Sequence, residues 1–224
     1  MANNKKTRVI IIAAGPGDRW KNFRGTTKHL AKVENEVLIQ RTAKQFLRYT
    51  DDVCVVGHDM DYLVEGASLY VVKVHNTNWR DAGKFMSSKG LWIHDGRTVL
   101  VFGDVWFSTD AVKKIMTDKD SLKFYLRSGA STVHSSDRPE IFGLAFDETQ
   151  FSHMNQALLH FAASYEAQRQ AGWGLYRRIV GPTANGLFAN PHFMEINDWT
   201  QDFDFPEDLE KWEEDRKESR KKKS

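Results

Sequence analysis

The chain has 224 residues, of which 41% are hydrophobic and 12% aromatic, and this composition excludes a disordered protein and allows one substantial core. The formal net charge is +2, but residues 1–8 carry three positive charges and residues 207–224 carry seven of each sign, so the body is close to neutral. The body therefore lacks the basic stripe of a nucleic-acid-binding protein. No apolar run approaches about 20 residues and no secretory signal is evident, so we expect a soluble, cytoplasmic protein with neither nucleic-acid nor membrane partners.

The first predicted element is a strand that leads into a glycine-rich turn. Residues 9–13 are apolar and mostly β-branched, which indicates a strand buried on both faces, as in a parallel sheet. The small residues 14–17 follow, and glycine there lets the backbone approach a ligand closely. Basic side chains come next, at Arg19, Lys21, Arg24 and Lys28. Together these features indicate a phosphate-binding turn, although an ordinary strand-to-loop turn would explain the glycines alone. The sequence matches neither a P-loop nor a complete G-x-G-x-x-G motif.

Helix and strand then alternate along the chain. Apolar residues between 39 and 47 recur with helical spacing, which predicts an amphipathic helix. Residues 53–56, which include the single cysteine Cys54, and residues 69–74 are predicted as two further strands. This alternation is typical of a doubly wound α/β sheet, which binds ligands beyond the carboxyl ends of its strands. We therefore predict an α/β fold with a mostly parallel, mixed central sheet flanked by helices.

Two candidate site segments follow predicted strand ends. The first is an Asn-rich loop at 75–83 followed by a predicted helix from 84 to 94, a pattern that turn and cap chemistry also explains. The second is Gly103-Asp104, directly after the apolar run 98–102. A carboxylate at a strand end beside phosphate-binding cations is well placed to hold Mg²⁺, which takes one or two carboxylates and completes its shell with phosphate oxygens and water.

The region between 109 and 180 carries weaker signals. Strands are predicted at 122–126, 130–133 and 140–146, and a helix at 151–170. His153 and His160 lie on that helix, but no third ligand stands at metal spacing, so a zinc site is not supported. An aromatic and basic cluster could contact an anionic acceptor substrate or simply form a packing corner; its members are Trp173, Tyr176, Arg177 and Arg178.

The last candidate segment gathers aspartates before a predicted helix. Pro206 suits the first position of a helix, and Glu207 and Asp208 suit its first turn. These rules do not explain why Asp198, Asp202 and Asp204 cluster just before it. The residues beyond 212 are predicted as a charged helix that frays into a solvated tail.

Four pieces of sequence stand in the order found in one enzyme superfamily. They are Ala13-Ala14-Gly15-x-Gly17-x-Arg19 with Lys28-x-Leu30, Asn76 to Ser87 with Gly83, Gly103-Asp104, and Asp204-x-Pro206-Glu207-Asp208-Leu209. This arrangement resembles the nucleotidyltransferases with a GT-A-like fold, which include sugar-phosphate nucleotidyltransferases and molybdenum-cofactor nucleotidyltransferase-like proteins. The resemblance covers residues 8 to 212. The sequence departs from the family pattern at Thr27, Asn35, Val37, Thr77 and Phe205.

The resemblance implies one Rossmann-like (GT-A-type) domain at 8–212, with a flexible basic segment at 1–7 and a charged tail at 213–224. It implies a Mg²⁺-dependent transfer of a nucleoside monophosphate from a nucleoside triphosphate to a phosphorylated small-molecule acceptor, with release of pyrophosphate. Arg19 and Lys28 would be catalytic, and Asp104 and Asp204 would bind Mg²⁺. The nucleotide would be contacted by Ala13, Ala14, Gly15, Gly17, Asn76, Gly83 and Ser87.

Two alternatives remain open. A GT-A glycosyltransferase shares the fold and an aspartate-bound metal but uses a nucleotide-sugar donor and usually carries D-x-D, which residues 103–106 lack. A catalytically silent nucleotide-binding module would fit the departures at Thr27, Val37 and Phe205. A phosphate-monoester acceptor is largely ionised near neutral pH, because its second pKa is about 6, and so needs no general base.

Overall fold

A computed structural model describes residues 6–15, 17–72, 80–164, 171–181 and 191–222 of the chain. The strands in these ranges are β1 Lys6–Ile12, β2 Lys32–Val33, β3 Glu36–Val37, β4 Val53–Gly57, β5 Ser68–Val71, β6 Gly96–Phe102, β7 Val105–Trp106, β8 Leu122–Arg127, β9 Glu140–Asp147, β10 Phe193–Glu195 and β11 Gln201–Asp202. The α-helices are α1 Leu38–Phe46, α2 Arg80–Ser88, α3 Thr109–Thr117, α4 Phe151–Ala162, α5 Ala171–Val180 and α6 Pro206–Lys221.

A seven-stranded sheet in the order β10-β8-β9-β6-β1-β4-β5 forms the centre of the fold. Strand β1 runs parallel to both β4 and β6, with Ile12 opposite Val56 and Phe102. Strand β9 runs antiparallel to both β6 and β8, so the sheet is mixed but mostly parallel, as predicted. Because β1, β4 and β6 end at the same level, the segments that follow them meet at one edge of the sheet.

Helices cover both faces of this sheet. Alternate residues of β1 point to opposite faces: Val9 and Ile11 pack with α1 and α3, whereas Ile10 and Ile12 pack with α2, α4 and α5. Burial on both faces explains why this strand reads as a continuous apolar run. A third apolar cluster joins the glycine-turn region to α6; its buried members include Trp20, Trp106, Phe203, Leu209 and Trp212.

One predicted strand is wrong. Residues 130–133 form a loop, because side chains take the backbone N–H groups that a strand would pair. The Ser131 hydroxyl accepts from the N–H groups of Val133 and His134 at 3.1 and 3.2 Å, and Asn197 Oδ1 accepts from Thr132 at 3.0 Å. Serines compete with regular backbone pairing in this way.

The bounds of two predicted helices are also corrected. Helix α2 runs from Arg80 to Ser88, not from residue 84 to residue 94; a 3₁₀ turn at Lys89–Leu91 follows it, and Gly90 in that turn has low helix propensity. Helix α4 ends at Ala162, where Ser164 Oγ donates to the Phe161 carbonyl at 2.7 Å. The rest of that predicted helix, at 165–170, lies outside the described residues, as does the end of the strand predicted at 69–74.

Helix α6 begins with Pro206 at its first position, as predicted, and continues to Lys221. Beyond residue 212 it contacts the body through ion pairs of Arg216 and Arg220 with Glu34 and of Glu213 with Arg24. Across the described ranges, every helix is too short or too polar to cross a membrane.

Candidate active site

Three segments converge where β1 and β6 end. The N–H of Gly103 donates to the Ile12 carbonyl at 2.8 Å, and the N–H of Phe203 donates to the Asp104 carbonyl at 3.1 Å. A Cβ on Gly103 would lie only 2.8 Å from the Cβ of Ala13, so this close approach requires glycine. The antiparallel pair β7–β11 then holds the segment around Asp202 beside Asp104.

Carboxylates from these segments form one cluster. Asp104, Asp202 and Asp204 each offer an oxygen, and these oxygens lie within 4.8 Å of one another. Oδ1 of Asp202 is buried and has no hydrogen-bond partner, which is costly unless a cation or water satisfies it. An all-oxygen donor set of this kind suits hard divalent cations. The residues present therefore fit a divalent metal.

Two basic side chains contact this cluster. Lys28 Nζ forms an ion pair with Asp104 and lies 3.4 Å from an oxygen of Asp204. Arg19 Nη1 lies 2.8 Å from the other oxygen of Asp204. The four residues predicted for catalysis and metal binding are thus linked by successive ion pairs; they are Arg19, Asp204, Lys28 and Asp104.

The ionisation of the cluster follows from burial and charge. Burial acts to lower the pKa of Lys28, but the charges of Asp104, Asp202 and Asp204 outweigh it and raise that pKa. Burial acts to raise the pKa of Asp104, but the positive charges of Lys28 and Lys84 outweigh it and hold that pKa below the usual range. For Asp202, burial and the neighbouring carboxylates act together and raise the pKa well above its usual value. Lys28 and Asp104 thus form a charged pair.

A hydrogen-bonded network holds the turn that carries Lys28. Thr27 Oγ1 lies 3.1 Å from the hydroxyl of Tyr62, and this hydroxyl lies 3.5 Å from Nδ1 of His29. His58 packs edge-on against Tyr62, and its Nε2 lies 3.2 Å from the carbonyl oxygen of Gly15. Thr27 stands where the family pattern has proline, and in this chain a side-chain hydrogen bond anchors the turn.

Arg19 and Asp204 are positioned from α6. Trp20, next to Arg19, is buried against Trp212 and other members of the third apolar cluster. Asp208 Oδ2 accepts from the N–H groups of Asp204 and Phe205 at 3.1 and 2.9 Å, which caps the helix and fixes the Asp204 backbone. The guanidinium of Arg19 lies 5.2 Å from the centroid of the Phe205 ring, within cation–π range.

The predicted nucleotide contacts lie on two elements. Ala13, Ala14, Gly15 and Gly17 form the turn after β1, and Gly17 has a φ of 67°, in the left-handed region that favours glycine. Gly83 and Ser87 lie on α2, and the Ser87 hydroxyl donates to the Lys84 carbonyl at 2.7 Å. Asn76 lies outside the described residues.

The predicted acceptor-binding residues lie on α5. Tyr176 is 1% exposed and packs edge-to-face against Phe124 at 5.0 Å between ring centroids. Trp173 is half-buried and contacts Tyr176, and Arg177 is exposed. Tyr176 thus belongs to the core, whereas Trp173 and Arg177 have accessible surface.

Sequence reasoning missed two residues that face the cluster. Asp202 lies two positions before Asp204, and in an extended chain that spacing places two side chains on one side. The spacing of the two aspartates could therefore have predicted that Asp202 belongs to the cluster. Lys84 directly follows the predicted nucleotide contact Gly83, but a lysine on an amphipathic helix carries no signal of its own.

No known protein family matches the sequence, and no curated protein matches it. The structure, however, matches 217 solved chains. Among them are a CTP:phosphocholine cytidylyltransferase from Streptococcus pneumoniae (TM-score 0.65, 16% identity, 93% of this chain and 98% of that one) and a candidate glucose-1-phosphate thymidylyltransferase from Bacillus anthracis (0.61, 17%, 92% and 94%). An inositol-1-phosphate CTP transferase from T. maritima also matches (0.58, 11%, 95% and 96%). At these identities the likeness establishes a shared Rossmann-like fold over almost the whole chain.

Proposed function

We propose that this chain is a nucleotidyltransferase that transfers a nucleoside monophosphate from a nucleoside triphosphate to a phosphorylated small-molecule acceptor and releases pyrophosphate. The observation that carries the proposal is the contact of Lys28 and Arg19 with Asp104 and Asp204 beside a glycine turn. The three solved structures described above support it, since each is named for transfer of a nucleotide, and their names specify glucose-1-phosphate, phosphocholine or inositol-1-phosphate.

The backbone of the glycine turn would bind the phosphates. Residues 14, 15 and 17 carry N–H groups, whereas Pro16 has none. Amide groups in a turn of this kind, with nearby cations, form an anion-binding concavity. Arg19 and Lys28 would then neutralise the charge that builds up on the departing pyrophosphate.

Asp104, Asp202 and Asp204 would hold Mg²⁺. When bound, this ion would supply positive charge to the α-phosphate and the attacking oxygen. The Lys28 ammonium contacts two of these carboxylates, Asp104 and Asp204. This ammonium would become available to phosphate oxygens once the carboxylates have another cation.

The nucleophile would need no general base, because a phosphate monoester is already ionised near neutral pH. The nearby imidazole of His29 does not supply one, since burial lowers its pKa to about 3 and its contact is to the Tyr62 hydroxyl. Asn76, Gly83 and Ser87 stay predicted nucleotide contacts. For the acceptor, the accessible surfaces of Trp173 and Arg177 are the predicted contacts on α5, with Tyr176 supporting them from the core.

The proposal is tested by measuring pyrophosphate release. Each of the four ribonucleoside triphosphates would be combined with pooled sugar phosphates, phosphocholine and inositol phosphate, with Mg²⁺ or with chelator. We expect chelator-sensitive release with one triphosphate. Asp104→Asn should abolish it, whereas Asp51→Asn, at an exposed aspartate remote in sequence, should not. No release from any combination would overturn the proposal.

A glycosyltransferase is the second candidate, because Asp202 and Asp204 form a D-x-D pair whose oxygens both reach the metal cluster. That activity would release a nucleoside diphosphate from a nucleotide-sugar donor. The same panel, run with nucleotide sugars and a nucleoside-diphosphate readout, separates the two reactions.

A further inference from the structure

Lys84 places its side chain along the glycine turn. Its Cε lies only 3.3 Å from the position that a Cβ on Gly15 would take, so the absence of a side chain at Gly15 makes room for the lysine. Its Nζ lies 5.7 Å from the centroid of the Phe102 ring, at the end of β6. Lys84 is half-buried, and α2 packs against β1. Helix α2 thus presents a positive charge to the glycine turn.

The other basic side chains at the site are already engaged. Lys28 is paired with Asp104 and Asp204, and Arg19 is paired with Asp204. Lys84 forms no ion pair with a carboxylate of the described residues; its ammonium lies near the Phe102 ring, and its charge acts on Asp104 without a direct contact. An anion that arrives at the turn competes with carboxylates for Lys28 and Arg19, whereas no carboxylate of the described residues is ion-paired with Lys84.

We propose that Lys84 anchors the triphosphate of the nucleotide independently of the metal. This inference rests on the proposed function, and adds to it a residue that binds phosphate before the carboxylates are filled. The polyphosphate chain would lie across the N–H groups around Gly15, and the flexible lysine would reach its oxygens from α2.

The size of the effect follows from general values. Loss of a hydrogen bond to a charged group weakens binding by about 10- to 100-fold. Loss of Lys84 should therefore weaken metal-free binding by at least about tenfold.

The test measures binding of inorganic tripolyphosphate in the presence of chelator by isothermal titration calorimetry. This probe needs neither the correct base nor an acceptor. We expect Lys84→Met to bind at least about tenfold more weakly than the unmodified chain. Lys84→Arg, which keeps the charge, should stay within a few-fold. Lys113→Met, at an exposed lysine of α3, should bind like the unmodified chain, and thermal unfolding of each variant checks that it folds.

Equal binding by Lys84→Met and Lys113→Met would overturn the inference. So would an unmodified chain that binds tripolyphosphate with Mg²⁺ but not with chelator. If Lys84→Met released pyrophosphate and bound tripolyphosphate like the unmodified chain, the role of Lys84 would be refuted and the proposed transfer reaction would stand. Lysine-dependent binding without turnover on any triphosphate would instead refute the proposed transfer reaction and leave Lys84 as a phosphate-binding residue.

Discussion

Lys28 and Asp104 form an ion pair in which both side chains are almost completely buried, with 5% and 6% of their surface exposed. The same ammonium lies 3.4 Å from Asp204, so a single positive charge attracts two carboxylates of the cluster. Removing one partner of a buried pair leaves an uncompensated charge, which costs more than the pair itself contributes. Lys28 is therefore an internal counterion of the metal-free protein as well as a candidate catalytic residue.

Lys28→Met should destabilise the metal-free protein by about 3 kcal/mol or more, because the buried carboxylate of Asp104 then loses its ion-pair partner. Mg²⁺ should restore part of this loss, since it supplies the missing positive charge. The measurement is thermal unfolding with chelator and with Mg²⁺. We expect the Mg²⁺-induced rise in melting temperature to be larger for Lys28→Met than for the unmodified chain or Lys113→Met. Equal rises would show that the ion does not bind where Lys28 now lies.

Asp202→Asn should have opposite effects on stability and on metal binding. The substitution removes a carboxyl group whose pKa is raised by burial and by its acidic neighbours. Its buried Oδ1 has no hydrogen-bond partner, so no hydrogen bond is lost there and the metal-free protein should be at least as stable as before. Loss of a charged ligand should weaken Mn²⁺ binding by at least about tenfold, or 1.4 kcal/mol. Paramagnetic resonance titration with Mn²⁺ measures the affinity, with Asp51→Asn as the control. Unchanged affinity would remove Asp202 from the metal site.

Tyr62→Phe should loosen the turn that carries Lys28. The substitution removes the hydroxyl between Thr27 and His29 and should lower stability by about 1 kcal/mol. Because Lys28 is displaced but not removed, we expect the maximal rate of pyrophosphate release to fall several-fold while Mg²⁺ affinity changes little. Tyr49→Phe, at a tyrosine that is 42% exposed, is the matched control. A loss of stability with an unchanged rate would make the network structural only.

Much of the fold could be predicted from the sequence, because buried parallel strands are continuous apolar runs. The strand at 9–13 and the strand leading to Gly103 were predicted for this reason, and the helix at 39–47 was predicted from the helical spacing of its apolar residues; the structure confirms these elements. The loop at 130–133 was mistaken for a strand because the competing bonds come from Asn197 and from the Ser131 hydroxyl. A contact between residues 65 positions apart cannot be predicted from the local sequence pattern.

The candidate site was predictable to the extent that its residues stand next to strand ends. Asp104 comes two residues after the end of β6, and a metal-binding role could be predicted from that position. Lys84 could not be found in this way, since only the packing of α2 against β1 brings it to Gly15. The resemblance to a known superfamily supplied Arg19, Lys28 and Asp204, which no periodicity would have selected.

Arg216→Ala should destabilise the protein although Arg216 lies in the segment predicted as a tail. Its guanidinium pairs with Glu34 at 3.0 Å and lies 4.8 to 5.3 Å from the ring centroids of Trp106, Trp199 and Trp212. Partly desolvated cation–π contacts contribute about 1–2 kcal/mol, so we expect a loss of that size in chemical denaturation. Lys217→Ala, one residue further on, should change stability little. Equal effects would support a solvated tail after residue 212.

His29→Gln should make folding less sensitive to acid. Burial lowers the pKa of His29 to about 3, whereas the unfolded chain titrates near 6.5, so the unfolded state binds more protons between these values. Stability is therefore lost as the pH falls from about 6.5 towards 3, and this one histidine should account for about 2 kcal/mol at pH 5.

The measurement is the free energy of unfolding at pH 7 and pH 5 by urea denaturation. His29→Gln should lose about 2 kcal/mol less than the unmodified chain over that interval, and His153→Gln, at an exposed histidine of α4, should lose as much as the unmodified chain. Parallel pH profiles for all three proteins would show that His29 is not held neutral in the folded state.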